Sequence, residues 1–258
     1  MAGARIEGRI ASLWRHPVKG FTPERLERAE LATGGFFPCD RLYAVEDGPS
    51  GFDPAAPAWI SKTKFTVLAK IARVAQVRTA YDEGSGVLAA QAPGRAALSA
   101  DLDDPVGREA FADWLAGFLG EEARGPLRVV QGPGHRFTDH PLGQVSVVNL
   151  ASVRDLAERL GRPVDPLRFR ANLYVDGWPA WAENEAAEET PLTLGGAAAR
   201  LFKPIVRCVA THVDPATGER DIDLVRALHD LYGHLHCGVY VSVSNGGALA
   251  EGDIATLG

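Results

Sequence analysis

Residues 74–91 read Val74-Ala75-Gln76-Val77-Arg78-Thr79-Ala80-Tyr81-Asp82-Glu83-Gly84-Ser85-Gly86-Val87-Leu88-Ala89-Ala90-Gln91. Two extended runs flank Asp82-Glu83-Gly84-Ser85-Gly86, a polar, glycine-rich turn of the hairpin type. Toward the N-terminus the same grammar repeats. Residues 6–14, 26–31, 42–45 and 59–72 read as further short strands, the first stopping at His16-Pro17. Many short strands punctuated by Gly and Pro predict a barrel or sandwich.

Toward the C-terminus a helix interrupts the strands. Asp104-Pro105 is an N-cap and first-turn pair. Phe111, Trp114, Leu115, Phe118 and Leu119 then form an apolar stripe that ends at Gly120. After a strand at 127–130 and a polar loop at 132–141, the chain alternates. Strands are expected at 145–150, 173–175, 192–194, 201–209, 239–243 and 254–257, with helices at 151–160 and 222–232. The expected division is a smaller domain over residues 1–125 and a larger one over 126–258.

Composition bounds the function. The chain has 258 residues, with 27 Lys+Arg against 33 Asp+Glu, for a formal charge of -6. An acidic chain is a poor general binder of nucleic acid, so none is expected as partner. With 46% hydrophobic and 23% charged residues, wholesale disorder is excluded. Three Cys cannot build a disulfide framework in a chain of this length, which points to a reducing compartment. No apolar run approaches the ~18 residues of a membrane span, and residues 1–14 have no apolar core of the secretion type. A cytoplasmic location without membrane association is expected.

Most strong signatures are missing: the phosphate loop, a strand-anchored G-x-G-x-x-G, H-E-x-x-H and G-x-S-x-G. His234-Leu235-His236-Cys237 has metal-like residues, but no partner pair stands nearby to complete a closed site of about four ligands. Cys208 closes the apolar run Lys203-Pro204-Ile205-Val206-Arg207, shortly before Val213-Asp214-Pro215-Ala216-Thr217-Gly218. On the residues alone, Cys208 is open to two readings: a core cysteine, or a thiolate that attacks or binds a soft metal.

Several segments, taken in order, are recognisable. They are Leu13-Trp14-Arg15-His16-Pro17-Val18-Lys19-Gly20, Cys39-Asp40-Arg41-Leu42-Tyr43-Ala44-Val45, Leu167-Arg168-Phe169-Arg170-Ala171-Asn172-Leu173, and the Cys208 segment with its Asp214-Pro215 loop. Tyr232-Gly233, Gly238-Val239-Tyr240 and Gly252-Asp253 complete the set. Together they resemble the MOSC family, named after the C-terminal domain of molybdenum cofactor sulfurases. The pattern is similar to that of the mitochondrial amidoxime reducing component and its bacterial counterparts.

The resemblance implies a mixed, mainly β fold. A MOSC β-barrel with peripheral helices would pack against a smaller N-terminal β-barrel-like domain, with a cofactor between them. The implied cofactor is the molybdenum cofactor, molybdopterin-bound, with Cys208 as metal ligand. Soft sulfur donors suit a thiophilic redox metal. The cofactor's phosphate and pterin imply local positive charge and polar contacts, and the matching positions are Lys19, Arg41, Thr138, Asp139, Arg170, Asn172, Arg207 and Tyr240. Guanidinium groups grip phosphate as a bidentate fork, and lysine acts as a point charge. Asp139 or a nearby His is the candidate proton donor. Plainer roles stand beside these: Arg41 in a turn ion pair with Asp40, Arg168 and Arg170 on a solvated edge, Tyr240 in a barrel core. This chain has Gly20 and Val206 where relatives often carry Ser.

The implied activity is that of a molybdenum-dependent oxidoreductase reducing N-hydroxylated small molecules such as amidoximes and hydroxylamines. Electrons would come from an external donor protein, because no flavin, heme or iron–sulfur motif is present; no pyridoxal phosphate is expected either, since 258 residues leave no room for a desulfurase module. Two alternatives share the pocket: a sulfur carrier using a Cys208 persulfide, and a non-catalytic cofactor carrier.

Overall fold

The structure is a computed structural model that describes residues 5–140, 142 and 145–258. Its centre is a closed barrel of seven strands: β1 (Ile6–Arg15), β2 (Val145–Asn149), β3 (Leu173–Asp176), β4 (Pro191–Leu194), β5 (Ala197–Val206), β6 (His236–Asn245) and β7 (Ile254–Leu257). The spatial order is β1-β3-β2-β6-β5-β4-β7 and back to β1, all antiparallel except β2–β3. That parallel pair is joined through the helix Leu150–Leu160, because parallel neighbours need a long crossover.

Alternation along the strands fills the barrel. Ile10, Leu13, Val147, Leu173, Val175, Leu201, Val239 and Val241 point into one buried cluster. Val148 points the other way, into a cluster with Val153, Leu156, Leu224 and Leu228 of the two flanking helices. Both faces of β2 are therefore covered, and all five of its residues are buried. The helix Leu224–Tyr232 starts at Asp223, whose carboxylate accepts from Arg226 N, and ends at the left-handed Gly233.

The N-terminal region has its own core. The sheet Arg78–Tyr81, Val87–Gln91 and Leu98–Asp101 packs with the helix Pro105–Leu119 around Val77, Leu88, Phe111, Leu115 and Phe118. The strand Ala44–Asp47 pairs with Leu127–Val130. Sequence order and spatial order differ at both ends of this region. Strand β1 is a stave of the barrel, and Leu127–Val130 pairs back into the N-terminal core.

The expected strand at 59–72 does not form. Lys62–Lys64 and Ala72–Gln76 are short 3-10 turns, and the latter also replaces the start of the strand expected at 74–81. The physical reason is that Phe65 and Val67 bury in one cluster while Leu68 and Ile71 bury in another, so the segment has no single sheet face to present. The expected strand 26–31 splits. Glu24–Leu26 pairs with β1, and Arg28–Leu31 pairs with Gly247–Ala250. Among the described residues no helix is long and apolar enough to cross a membrane.

Leu201 is fully buried in the barrel. Leu201→Ala should lower stability by about 2–5 kcal/mol, read as a lower denaturant midpoint with an unchanged slope.

Candidate functional site

Strand β5 ends at Val206, and the chain turns into the 3-10 segment Val209–His212, capped by Cys208. Thr211 donates twice to the Cys208 carbonyl, from N at 3.0 Å and from Oγ1 at 2.9 Å, which fixes the backbone that bears the thiol. The Cys208 side chain is partly exposed and lines a cavity of about 420 Å³.

Three segments zip together to complete the cavity. Beyond β1, the backbone at 16–19 runs alongside that at 41–43: Arg41 N donates to His16 O at 2.7 Å and Lys19 N to Tyr43 O at 2.8 Å. Phe137 N then donates to Arg41 O at 2.9 Å. This brings Lys19, Arg41 and the Thr138-Asp139 pair into one cavity with Arg170, Arg207, Cys208 and Tyr240. Gly20 allows the approach. It has φ +90°, and a Cβ there would lie 2.7 Å from Thr66 O.

Eight of the nine expected residues therefore line one cavity: Lys19, Arg41, Thr138, Asp139, Arg170, Arg207, Cys208 and Tyr240. Asn172 does not. Its Oδ1 accepts from Ser146 N at 3.1 Å and Oγ at 2.8 Å, and its Nδ2 donates to Trp14 O at 3.2 Å. A buried amide must be satisfied internally, and here it ties β1, β2 and β3 together.

The cavity is strongly cationic. Lys19, Arg41, Lys62, Arg168, Arg170, Lys203 and Arg207 line it, against one carboxylate, Asp139. Lys19 is buried and donates to Asp139 Oδ1 at 2.5 Å and Phe137 O at 2.8 Å. Burial pushes its pKa down, opposed by Asp139. Arg41 pairs with the buried Asp40, which also accepts from His16 N at 2.7 Å. Arg41 also donates from Nη2 to Arg170 O at 3.1 Å. Both arginines hold left-handed backbone, with φ 50° and 51°, a conformation that persists only where the surroundings impose it. Burial and the neighbouring Arg41 charge push Arg170 down to about 10, and its Nη2 is buried without a partner. Arg207 is aimed by backbone carbonyls: Nε donates to Cys237 O at 2.8 Å and Nη1 to Phe169 O at 2.7 Å. Arg168 differs. Asp214 and Asp221 hold it at 2.8 Å each, so it anchors the loop after Cys208.

Lys62 was not foreseen. Its Nζ lies 3.3 Å from Cys208 Sγ and 3.3 Å from Asp139 Oδ2. Burial lowers its pKa, but Asp139 and Cys208 outweigh burial and the net shift is upward. Lys203, His140 and His236 are further lining residues outside the expected set. Nothing in Ser61-Lys62-Thr63-Lys64 marks Lys62 before folding. Burial would raise Asp139, yet Lys19 and Lys62 hold it well below the usual carboxylate range. Asp139 is thus the counter-charge that Lys19 and Lys62 share. Among the described residues no group of three or more His, Cys, Asp or Glu gathers to hold a metal ion. Cys237 is fully buried, within the cluster that packs the two flanking helices.

Residues 134–256 match the MOSC domain, and residues 7–122 match the MOSC N-terminal beta barrel domain. The chain belongs to the MOSC family. Over 150 residues it is 30% identical to the molybdenum cofactor sulfurase of Caenorhabditis elegans, covering 56% of this chain and 20% of that protein. Over 127 residues it is 29% identical to mitochondrial amidoxime-reducing component 1 of Homo sapiens, covering 43% of this chain and 36% of that protein. The chain thus spans about a fifth to about a third of the lengths of these relatives. The solved YuaD protein from Bacillus subtilis aligns over 98% of this chain and 96% of that one, at 14% identity and a TM-score of 0.47. In this MOSC chain the cation-lined cavity and the Cys208 thiol come together where the two matched regions meet.

Burial would raise Asp40, but Arg41 and the His16 hydrogen bonds outweigh it, and the carboxylate sits below its usual range. A carboxylate lowered in the fold stabilises it above its unfolded value of about pH 4 and loses that contribution as pH falls. Asp40→Asn should destabilise the protein by about 3–5 kcal/mol at neutral pH, because Arg41 loses its buried counter-charge. The gap to the native protein should narrow in denaturant titrations repeated near pH 3.

Proposed function

We propose that this MOSC chain binds a molybdenum cofactor in the cavity and acts as an oxidoreductase on N-hydroxylated small molecules, with electrons from a separate donor protein. One observation carries the reading: a partly exposed thiol opens into a cavity with seven cationic side chains and one carboxylate. The donor set fits the group. A thiolate is a soft metal ligand, and Arg170 and Arg207, with no carboxylate partner among the described residues, suit an anionic phosphate. Relatives named amidoxime-reducing components and molybdenum cofactor sulfurases support the same assignment.

When bound, the cofactor supplies two-electron redox chemistry. The chain's own residues do the rest. Cys208 would ligate the metal, held in place by Thr211. Lys19, Arg41, Arg170 and Arg207 would bind the anionic tail. Thr138 donates to His140 O at 2.8 Å, which shapes the loop that bears Asp139. Asp139 positions Lys62, whose Nζ holds the proton nearest the thiol. Tyr240, pushed up by burial, stays a neutral hydroxyl on the cavity wall. The division of the chain near residue 125 belongs to the same proposal, with each part contributing lining residues to the cavity.

Protein purified from a cofactor-competent host should carry about one molybdenum per chain. Cys208→Ser should cut that by more than roughly tenfold while far-UV circular dichroism stays unchanged, since Cys208 lies outside the core clusters. Native protein free of molybdenum and pterin would overturn the proposal.

Lys62 Nζ at 3.3 Å from Sγ would also stabilise a persulfide anion, which favours sulfur carriage as the second reading. Incubation with a cysteine desulfurase and cysteine then yields an adduct of about +32 Da on Cys208.

A further inference from the structure

The strand Leu127–Val130 has one paired edge and one open edge. Val45 O accepts from Thr66 N at 2.8 Å and Tyr43 O accepts from Lys19 N at 2.8 Å, so residues 43 and 45 face away from this strand. Ala44 and Glu46 face it, opposite Val130 and Arg128. Beyond them Gly48 N donates to Pro126 O at 3.2 Å. Alternation then turns the N–H and C=O groups of Leu127, Val129 and Gln131 to the other side. Among the described residues no hydrogen bond reaches these groups and no further strand pairs there.

Leu127, Val129 and Gln131 line a groove of about 1100 Å³, together with Pro54 and Ala55 and with Glu109, Ala112 and Asp113 of the helix Pro105–Leu119. Small-molecule sites run to roughly 1,000 Å³ at most. The groove shares no lining residue with the Cys208 cavity. Pro126 and Pro133 bracket the open edge. Neither has an N–H to donate, so a ladder there spans about six residues.

Charge selects the occupant. Residues 101–122 carry seven Asp and Glu against one basic residue, Arg108, a net charge of -6 that equals that of the whole chain. All seven acidic residues are exposed. Glu122 alone of them has an ion-pair partner among the described residues, Arg73 at 3.5 Å. Glu109 and Asp113 lie one helical turn apart beside the groove, a spacing at which like charges destabilise a helix. An arriving cation reverses that effect. A second copy of this chain would bring the same acidic helix against this one, so charge opposes self-pairing along this edge.

We infer that the groove binds an extended, lysine- or arginine-rich segment of a partner protein, which adds as a strand to the edge at residues 127–131. Backbone hydrogen bonds to the three open residues set the register, and cations on the segment meet Glu109 and Asp113. The inference is independent of the cofactor reading.

The test uses the full chain and a fluorescein-labelled hexapeptide of alternating Lys and Val, followed by anisotropy at low ionic strength, where exposed charges act most strongly. Three further probes are the Glu–Val counterpart and two Lys–Val peptides N-methylated on the backbone of either the valines or the lysines. The Lys–Val peptide should bind and the Glu–Val peptide should not. One methylated peptide should lose binding by at least roughly tenfold while the other keeps it, because only alternate residues of an added strand face the edge. Hydrogen exchange at the Val129 and Gln131 amides should slow on binding. The exposed double variant E109K/D113K should keep its far-UV circular dichroism and bind the Lys–Val peptide at least roughly fivefold more weakly. Equal binding by the two methylated peptides, undiminished binding by E109K/D113K, or no binding at millimolar peptide would overturn the inference. Protection of the same amides without peptide, rising with protein concentration, would assign the edge to a second copy and overturn it too.

Discussion

Seven cationic side chains around one cavity repel one another, and burial strengthens that repulsion by lowering the effective dielectric. The fold holds most of them in place by giving them fixed anchors. Asp40 faces Arg41, Asp139 faces both Lys19 and Lys62, and backbone carbonyls aim Arg207. Arg168 and Arg170 each keep a buried guanidinium nitrogen without a partner, and burial with the neighbouring Arg41 charge pushes the Arg170 pKa down. Such an arrangement is poised for an anion, because an arriving negative charge relieves what the protein otherwise holds by packing.

The barrel gives this charge cluster a rigid frame. Cys208 leaves the end of β5, and Lys19 leaves the end of β1. Asn172 joins three of the staves from beneath, so its polar atoms serve the wall of the site rather than its contents. Gly238 plays a comparable part. It has φ +75°, and a Cβ there would lie 2.4 Å from Val147 O. Only glycine lets β6 close on β2 at the level of Arg207.

The charged neighbour of the thiol, Lys62, bears on both functional readings. Lys62 stabilises any anionic sulfur, whether it ligates a metal or carries a second sulfur atom. What separates the readings is the remainder of the cavity. A cation-lined space of about 420 Å³ beside the thiol is more than a persulfide needs.

Sequence alone determined the strand-rich fold, the helix Pro105–Leu119 with its Asp104 cap, and the identities of Cys208, Lys19, Arg41 and Arg170 as site candidates. The strands and the helix follow from local period and turn chemistry, whereas the site candidates follow from the resemblance to the MOSC family. It left Lys62 and the unpaired state of Arg170 unread, and it placed Asn172 inside a cavity that it only supports. Lys62 meets Cys208 across a separation of 146 residues, through a segment whose apolar side chains divide between two cores. Only tertiary structure decides such a contact, because no local pattern encodes which distant surface a lysine's charge will face once burial has chosen the packing.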